Sequence, residues 1–326
     1  MSTSSWLEYT KLLQQEIEQL SISGEPKELY DPINYILSLG GKRVRPALCL
    51  LGTDLFDGDI QEAKHAAICV EVFHNFTLVH DDIMDEAPIR RGKPTVHEKW
   101  NRDIAILSGD VMFVKAYELL SKLDPKHLPE VFKLFNKTAI EVCEGQQMDM
   151  NFETAKEVAI SQYIKMIELK TSVLLACSLK MGAIIANSSE KDAELIYEFG
   201  RNLGIAFQIQ DDLLDAYGDP EKFGKRVGGD IISNKKTYLL LTAIEKASEA
   251  QLEKLKDLLN QSEFEDQEKV DAMKAVYNEI GIPKLTENAI QEYYDIAMQS
   301  LSAIGVKDGK KQNLRLLAQQ IMQREN

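Results

Sequence analysis

Residues 59–86, DIQEAKHAAICVEVFHNFTLVHDDIMDE, are the stretch that decides the fold. Asp59 is a typical helix N-cap, and the apolar residues that follow it predict one long helix through the rest of the stretch. Residues four apart share a helix face, so the carboxylates of Asp81 and Asp85 stack one above the other. Like charges at this spacing repel, so the end of this helix favours a divalent cation.

A second copy of the pattern lies much further along the chain. It reads Asp211-Asp212-Leu213-Leu214-Asp215, whereas the first reads Asp81-Asp82-Ile83-Met84-Asp85, and we call them the second and first aspartate motifs. The second motif ends a helical pattern over residues 191–216. Oxygen ligands favour a hard cation, and Mg²⁺ is usually held by one or two carboxylates with waters and substrate phosphates. Two solvated acidic turns are the simpler alternative, but the repetition disfavours them.

The remaining patterns are also helical. Asp31-Pro32 predicts the start of a helix, and Gly40-Gly41 predicts its end. Pro46 then opens the next helix. Strand patterns are nearly absent, and residues 87–94 are expected to form a turn-rich loop. Further helices are predicted at 104–122, 128–152 and 161–186, and from 236 to the end with breaks near 262, 281 and 305. We therefore predict an all-α fold, a helical bundle with residues 1–326 in a single domain.

The composition indicates an ordinary globular protein, with 44% hydrophobic and 28% charged residues. No eighteen consecutive residues are apolar, and the N-terminus does not resemble a signal peptide, so we expect a cytoplasmic protein without stable membrane insertion. The four cysteines lack metal-ligand spacing, and we expect them to be buried and reduced.

The net charge of -14 disfavours nucleic acid as a partner. The basic residues nevertheless form clusters, and two of these clusters follow an aspartate motif closely. Surface solubility could explain any one cluster but not this placement, so we favour a small polyanion bridged by metal. The clusters are Lys42-Arg43-Val44-Arg45, Arg90-Arg91-Gly92-Lys93, Lys225-Arg226 and Lys235-Lys236.

Two stripes of the first long helix indicate the shape of the substrate. His74 and Thr77 lie on the stripe that carries the first aspartate motif, and Phe73 and Phe76 form a neighbouring stripe. This arrangement suits a molecule with a charged head and an apolar tail. Periodicity alone favours a simpler role for the phenylalanines as core residues, and for His74 as an interior histidine.

Several short motifs occur together and in order over about residues 40–240. They are Gly40-Gly41-Lys42-Arg43-Val44-Arg45-Pro46, Leu78-Val79-His80 before the first aspartate motif, Arg90-Arg91-Gly92-Lys93-Pro94-Thr95, Gly145-Gln146, Lys170-Thr171, Phe207-Gln208-Ile209-Gln210 before the second aspartate motif, and Gly224-Lys225 with Lys235 after it. In this combination the chain resembles the trans-isoprenyl diphosphate synthases, the polyprenyl synthetase family. The C-terminal third contributes helical character only.

The resemblance implies a fold, a reaction and a partner. The fold is the isoprenoid synthase type I fold, an all-α bundle with a central cleft. Three Mg²⁺ ions, for which Mn²⁺ is a possible substitute, hold the diphosphate of an allylic substrate between the aspartate motifs. The diphosphate leaves, the double bond of isopentenyl diphosphate attacks the carbocation, and loss of a proton completes a longer chain. The family also implies a homodimer.

The resemblance assigns roles to individual residues. The direct metal ligands would be Asp81, Asp85 and Asp211, with Asp82, Asp212 and Asp215 acting mainly through water or the second ligand shell. The allylic diphosphate would be held by Arg90, Lys170, Lys225 and Lys235, and isopentenyl diphosphate by Lys42, Arg45, Arg91 and His74. Lys170, Thr171 and Gln208 would face the carbocation, with Gln146 and Asp149 nearby. Arg43 and Lys93 would be solvated.

The same resemblance bears on product length. Phe76 occupies the position where a bulky aromatic residue closes the chain pocket in the family, and Phe73 would be the next obstruction. Thr77 is smaller than the second aromatic residue of some farnesyl-producing members. The pattern is similar to short-chain geranylgeranyl synthases, so a C20 product is favoured and C15 is the alternative. Dimethylallyl, geranyl and farnesyl diphosphate all stay open as the allylic substrate.

Three other functions compete with this interpretation. A class I terpene cyclase also has an aspartate-rich helix, but its second metal motif mixes Asn, Ser or Thr with Glu, and it has no use for the Gly-Gly-Lys-Arg motif. A non-catalytic subunit of a heteromeric prenyl synthase would lack one aspartate motif, and both are intact. A metal-binding helical scaffold would leave the arginines unexplained.

Overall fold

The computed structural model of the protein describes residues 5–219, 228–260 and 265–322. Most of these residues lie in α-helices, which confirms the all-α prediction. In chain order the helices are α1 (Ser5–Gln19), α2 (Lys27–Ser38), α3 (Val44–Leu55), α4 (Ile60–Met84), α5 (Val96–Lys99), α6 (Arg102–Leu120), α7 (Leu128–Thr154), α8 (Ile160–Ile167), α9 (Val173–Ile185), α10 (Glu190–Tyr217), α11 (Gly229–Ile232), α12 (Tyr238–Lys246), α13 (Glu249–Asn260), α14 (Asp266–Ile280), α15 (Ile282–Ala303) and α16 (Gln312–Met322).

The other regular elements are short. A π-helical segment, Glu168–Ser172, joins α8 to α9, and a 3₁₀ segment, Asp308–Lys311, precedes α16. Two strands, β1 (Ile89–Arg90) and β2 (Lys93–Pro94), lie between α4 and α5. Among the described helices, none is both long and apolar enough to span a bilayer.

The chain divides into two compact units. The first unit comprises the described residues up to 136 together with 177–197 and 304–314. The second comprises 137–176, 198–303 and the described residues from 315 onward. The first aspartate motif belongs to the first unit, and the second aspartate motif belongs to the second.

Helix α4 is central to the first unit, where it packs against α3 and α6. The predicted N-cap is confirmed, because Asp59 Oδ1 accepts a hydrogen bond from the Gln61 N–H at 2.8 Å. Near the other end of α4, His80 Nε2 lies 3.1 Å from the Ile106 carbonyl of α6. Gly109 allows this approach, because a Cβ there would lie 2.5 Å from Cδ2 of the His80 ring. The contact fixes the helix end that carries the first aspartate motif.

Two apolar clusters form the core of the second unit. One joins α12 and α14 through buried side chains that include Leu240 and Tyr277. The other joins α8, α10 and α12 through buried side chains that include Tyr163, Ile209 and Leu241. The end of α10, which carries the second aspartate motif, is therefore anchored by apolar packing on α8 and α12.

Helix α2 begins earlier than the sequence predicted. Asp31 and Pro32 were expected to open it, but it starts at Lys27 after an extended Pro26, and Pro32 lies inside it. A proline there removes the N–H that would bond to the Glu28 carbonyl. Glu28 is exposed, so water can satisfy that carbonyl, and burial of the apolar face of α2 outweighs the missing bond.

A short hairpin replaces part of the loop expected at 87–94. Strands β1 and β2 pair antiparallel with Arg90 opposite Lys93. Arg91 and Gly92 form the turn, and their φ angles of 53° and 72° are both positive, as a type I′ turn requires. The turn was missed because it lacks the usual Asn-Gly or Asp-Gly signal.

Cysteine burial differs from the prediction at one position. Cys49, Cys69 and Cys177 are buried as expected, but Cys143 is exposed on α7. Burial raises the pKa of the Cys49 and Cys69 thiols, so these two stay protonated.

Candidate active site

The three carboxylates of the first aspartate motif, at the end of α4, differ in their exposure to solvent. The Asp85 N–H donates to the Asp81 carbonyl at 2.9 Å, so these two residues keep the helical spacing. The Asp82 side chain is 1% exposed and the Asp81 side chain 22% exposed. Asp85 is exposed. Two carboxylates are therefore accessible, and the third is enclosed in the first unit.

The enclosed carboxylate holds an arginine from β1. Arg90 Nε donates to both carboxylate oxygens of Asp82 at 2.8 Å, and Arg90 Nη2 lies 2.7 Å from Asp82 Oδ1. The same Nη2 is 3.9 Å from Asp81 Oδ2. Burial raises the pKa of Asp82, and the hydrogen bonds from Arg90 oppose this rise. Asp82 thus positions Arg90 beside Asp81 instead of presenting its own oxygens to a ligand.

A neutral histidine lies among several arginines in the first unit. Arg45 Nη1 is 3.1 Å from His74 Nε2. Because arginine only donates, Nε2 accepts and the ring proton resides on Nδ1. The pKa of His74 is lowered well below its ordinary value by burial and then by the positive charges of Arg45, Arg91, Arg90 and Arg43. This convergence of positive charge in an acidic protein favours a multiply charged anion.

Arg43 is buried, so the expectation that it is solvated was wrong. It is 3% exposed, and its guanidinium pairs with Glu71, which is 2% exposed. Asn75 Nδ2 donates to Glu71 Oε1 at 2.9 Å and so helps to hold this carboxylate. Arg43 precedes α3 with φ of 48°, in the left-handed region. The buried pair therefore fixes the loop that carries the exposed Lys42 and leads into Arg45.

Arg91 packs on the glycines of the same loop. Its Nη1 donates to the Gly40 carbonyl, and a Cβ at Gly41 would lie 3.1 Å from Nη2. Gly40 and Gly41 have φ of 75° and 146°, which favours glycine. Burial lowers the pKa of Arg91, with a further contribution from the charge of Arg43 that the charge of Glu71 opposes. The loop thus brings Arg91 to the side of Lys42.

Aromatic rings line α4 below the first aspartate motif. Phe76 is half-buried, and its ring centroid lies 5.2 Å from that of Phe113 and 5.5 Å from that of Phe73. Phe73 is fully buried and also contacts Phe135 at 5.2 Å. Thr77 Oγ1 donates to the His74 carbonyl at 2.8 Å, so its hydroxyl is used locally. The row begins with a partly accessible ring and continues into the core.

In the second unit, the middle carboxylate of the second aspartate motif is again buried. The Tyr163 hydroxyl donates to Asp212 Oδ2 at 2.5 Å, and the Tyr238 N–H donates to the same oxygen at 2.9 Å. Burial raises the pKa of Asp212 to about 7, although the hydrogen bond from Tyr163 opposes the rise. Burial raises the pKa of Tyr163 as well, so its hydroxyl stays a donor.

The last carboxylate of this motif organises the segment that follows residue 227. Asp215 Oδ2 accepts a hydrogen bond from the Asp230 N–H at 2.9 Å, and the Gly228 N–H donates to the Asp215 carbonyl at 2.7 Å. Lys235 Nζ lies 3.8 Å from Asp230 Oδ1. Asp215 therefore anchors the start of α11, and Asp230 keeps Lys235 nearby. Asp211 is half-buried on α10.

The remaining predicted residues of the second unit lie on three helical segments. Lys170 and Thr171 belong to the π-helical segment, and Lys170 Nζ donates to Asp149 Oδ2 of α7 at 2.6 Å. Gln146 is half-buried on α7, and Gln208 is half-buried on α10. Lys225 lies outside the described residues.

Comparison with known proteins identifies the chain. The pattern that defines the polyprenyl synthetase family matches residues 26–280. The chain belongs to the polyprenyl synthetase family. It is 44% identical over 232 residues to a geranylgeranyl diphosphate synthase of Methanosarcina mazei, which covers 71% of this chain and 72% of that protein.

Solved structures support the same family. A crystal structure of a geranylgeranyl pyrophosphate synthase matches with a TM-score of 0.94 and 45% identity over 100% of both chains. That of the geranylgeranyl pyrophosphate synthetase from Pyrococcus horikoshii matches with a TM-score of 0.91 and 35% identity over 98% of this chain and 97% of that one. This polyprenyl synthetase is thus a prenyltransferase, and neither a class I terpene cyclase nor a non-catalytic subunit of a prenyl synthase is favoured.

The donor chemistry of the synthetase fits Mg²⁺. Asp81 and Asp85 place carboxylate oxygens at an accessible helix end, and Asp82, Asp212 and Asp215 accept hydrogen bonds from protein donors. Within residues 5–219, 228–260 and 265–322, no three His, Cys, Asp or Glu side chains cluster closely enough to hold a metal ion. Carboxylate oxygens are the hard ligands that Mg²⁺ prefers, with water and substrate phosphates completing the shell.

Three residues that organise the synthetase site were missed by sequence reasoning. Glu71 and Tyr163 lie on apolar helix faces, where a buried charge or hydroxyl indicates a polar partner. That signal was present for Glu71, which lies three residues before His74 in an otherwise apolar run. Nothing in the sequence distinguished Arg43 from its exposed neighbour Lys42.

The raised pKa of Asp212 generates a prediction about stability. The folded state keeps the proton to about pH 7, while the unfolded chain loses it near pH 4, so the contribution of this proton to stability is lost as the pH rises through 7. Both donors reach the same oxygen, which an asparagine can replace. We expect the stability of Asp212→Asn relative to wild type to increase by roughly 2–3 kcal/mol between pH 5 and pH 8.

Urea denaturation in EDTA at several pH values measures this difference. Asp103→Asn, at an exposed position of α6, is the matched control and should show a pH profile parallel to that of the wild type. Parallel profiles for Asp212→Asn and wild type would show that the carboxyl titrates normally.

Proposed function

We propose that this polyprenyl synthetase condenses isopentenyl diphosphate with an allylic diphosphate and makes a C20 trans-prenyl diphosphate. The observation that carries the proposal is the convergence of arginines on the neutral His74, next to the carboxylates of the first aspartate motif. One anion held by arginines and another held by carboxylates through metal is what two diphosphate substrates require.

The cationic side of the first unit is the proposed site for isopentenyl diphosphate. Arg45 and Arg91 offer the planar forks that suit phosphate oxygens, and the exposed Lys42 adds a further positive charge. His74 keeps its Nδ1 proton as a neutral donor, so it can hydrogen-bond to an oxygen without adding to the charge repulsion. Asp82 holds Arg90 beside Asp81, which suits Arg90 to the other diphosphate.

The allylic diphosphate is assigned to both aspartate motifs. Asp81, Asp85 and Asp211 would hold the metal, whereas Asp82, Asp212 and Asp215 position their neighbours. Lys170, Lys225 and Lys235 would hold the same diphosphate. When bound, Mg²⁺ would neutralise the charge that accumulates on the departing diphosphate. Lys170, Thr171, Gln208 and Gln146 are the groups that we assign to the region facing the allylic cation.

Product length is assigned to the aromatic row of α4. Phe76 is five residues before Asp81, or about 7.5 Å along the helix axis, and it is half-buried. Phe73 lies behind it, fully buried against Phe113 and Phe135. A growing chain that follows α4 would reach Phe76 first. The names of the relatives favour C20 over C15.

We further propose that the whole chain acts as one cytoplasmic synthase domain. The family pattern spans residues 26–280 and so includes parts of both compact units. Helices α7 and α10 each contribute residues to both units, which agrees with one cooperative domain.

Activity is tested directly with isopentenyl diphosphate, Mg²⁺ and each of three allylic diphosphates, followed by product chromatography. We expect a C20 product with wild type. Asp81→Asn should lower turnover at least roughly 100-fold, because it removes a proposed metal ligand. It should not lower stability in EDTA, because it also removes a carboxylate that repels its neighbours when no metal is bound. Asp103→Asn should turn over like wild type. Near-normal turnover of Asp81→Asn would contradict the metal role of the first aspartate motif.

Chain length is tested by truncating the two phenylalanines separately. Phe76→Ala should lengthen the product beyond C20, because it removes the first ring that the chain meets. Phe73→Ala should leave the length unchanged while it destabilises the fold by about 3–5 kcal/mol. Chromatography of the products, with circular dichroism as a folding control, measures both effects. A folded Phe76→Ala enzyme with an unchanged product would assign both rings to the core alone.

We also propose a homodimer, formed through an apolar patch on the first unit. The patch consists of Leu107 and Val114 on α6 and Phe132 on α7, which are 56%, 64% and 45% exposed. Tyr117 continues it, because its ring lies 5.6 Å from that of Phe132. Clustered exposure of large apolar side chains is typical of protein interfaces.

Light scattering of the double variant Val114→Asp/Phe132→Asp tests the dimer. Two desolvated charges in the interface should convert the dimer to a monomer, whereas Ile296→Asp, at a position of α15 that is 38% exposed, should not. A double variant that keeps the mass of the wild-type assembly would place the interface elsewhere.

A further inference from the structure

The π-helical segment that joins α8 to α9 needs support from its neighbours. The Val173 N–H donates to the Glu168 carbonyl five residues earlier, and the buried Ser172 Oγ donates to the Ile167 carbonyl at 3.4 Å. A π turn is wider than an α-helical turn, is rare in proteins, and persists where the surroundings hold it. This one contains Lys170 and Thr171, two residues assigned to the reaction.

Helix α7 contacts the π segment through a glycine. A Cβ at Gly145 would collide with the backbone N of Lys170 and would lie 2.7 Å from the carbonyl carbon of Leu169. Asp149 lies one turn later on the same face of α7 and accepts the hydrogen bond from Lys170 Nζ at 2.6 Å. The same helix therefore both admits the wide backbone and orients its lysine.

Helix α10 contacts the same segment in an equivalent way. A Cβ at Gly204 would lie 2.8 Å from each of Cα, Cβ and Oγ of Ser172, which is fully buried. Gln208 follows Gly204 by four residues and so lies on the same face of α10. Each helix thus has a glycine at the contact and a polar residue of the proposed site one turn later.

We propose that Gly145 and Gly204 are positioning residues, which hold the π turn and so set the direction of Lys170 and Thr171. The proposal rests on the proposed function, from which the roles of those two residues come. A methyl group at either glycine has no space unless the π turn moves. Its displacement would carry Lys170 and Thr171 away from the geometry that the reaction needs, while the isopentenyl diphosphate site assigned to the first unit keeps its own contacts.

The test compares Gly145→Ala and Gly204→Ala with two controls. Gly182→Ala and Gly52→Ala introduce similar collisions in the first unit, since a Cβ at Gly182 would collide with the Cys49 carbonyl oxygen and one at Gly52 with the Leu179 carbonyl oxygen. All four variants should lose thermal stability. Only the first two should lose kcat, by roughly 10- to 100-fold, with the KM for isopentenyl diphosphate unchanged.

Rescue separates positioning from a general loss of stability. Ser172→Gly removes two of the three atoms that a methyl group at Gly204 would meet, so Gly204→Ala/Ser172→Gly should regain much of the kcat, with Ser172→Gly alone as the control. The Val173 N–H makes the hydrogen bond of the π turn, so its hydrogen-exchange rate in metal-free protein measures the stability of that turn. Exchange should be faster in Gly204→Ala and slower again in the double variant.

The outcomes are distinct. A folded Gly204→Ala enzyme with wild-type kcat, or a double variant without recovery of kcat, would overturn the positioning role. If wild type itself forms no prenyl product, the proposed function fails instead. In that case unchanged exchange of the Val173 amide in Gly204→Ala would still overturn the inference that Gly204 holds the π turn, and accelerated exchange would support it.

Discussion

The ion pair between Asp82 and Arg90 is the constraint on which the rest of the first unit depends. Asp82 is enclosed at the end of α4, and its carboxylate would be costly there without the guanidinium from the hairpin. The pair fixes the hairpin relative to the helix end. The hairpin in turn places Arg91 against the loop of Gly40 and Gly41 that precedes α3. A second buried pair, between Arg43 and Glu71, fixes that loop from inside. The accessible cationic side chains of the first unit are thus held in place by charged groups that are buried.

In the second unit, the carboxylates of Asp212 and Asp215 are stabilised by neutral hydrogen-bond donors. Asp212 is held by the Tyr163 hydroxyl and a backbone N–H, and Asp215 is held by the Asp230 N–H. Neutral donors compensate a buried carboxylate less than a guanidinium does, which explains why the pKa of Asp212 rises to about 7. Two motifs with the same spacing of aspartates therefore have different electrostatic environments.

Hydrophobic periodicity was sufficient to predict most of the helices. It was also sufficient to place the carboxylates of the first aspartate motif, because helical spacing alone puts Asp81 and Asp85 on one face of α4. It failed where a local signal competed with tertiary packing. Pro32 looked like a helix start, yet the buried face of α2 extends the helix to Lys27. The π segment interrupts the single helix predicted at 161–186, and the pattern gave no sign of it because the residues that pack on it, Gly145 and Gly204, are distant in sequence. Arg43 and Lys42 are adjacent and chemically alike, and only the partner Glu71 decides which of them is buried.

The uneven burial of the cysteines makes the protein suited to site-specific labelling. Three thiols are enclosed, and burial raises the pKa of Cys49 and Cys69, so they react slowly with maleimides. Cys143 is exposed on α7, two residues before Gly145. A fluorophore or spin label attached there would report on α7 in the unmodified sequence, because no native cysteine has to be removed first.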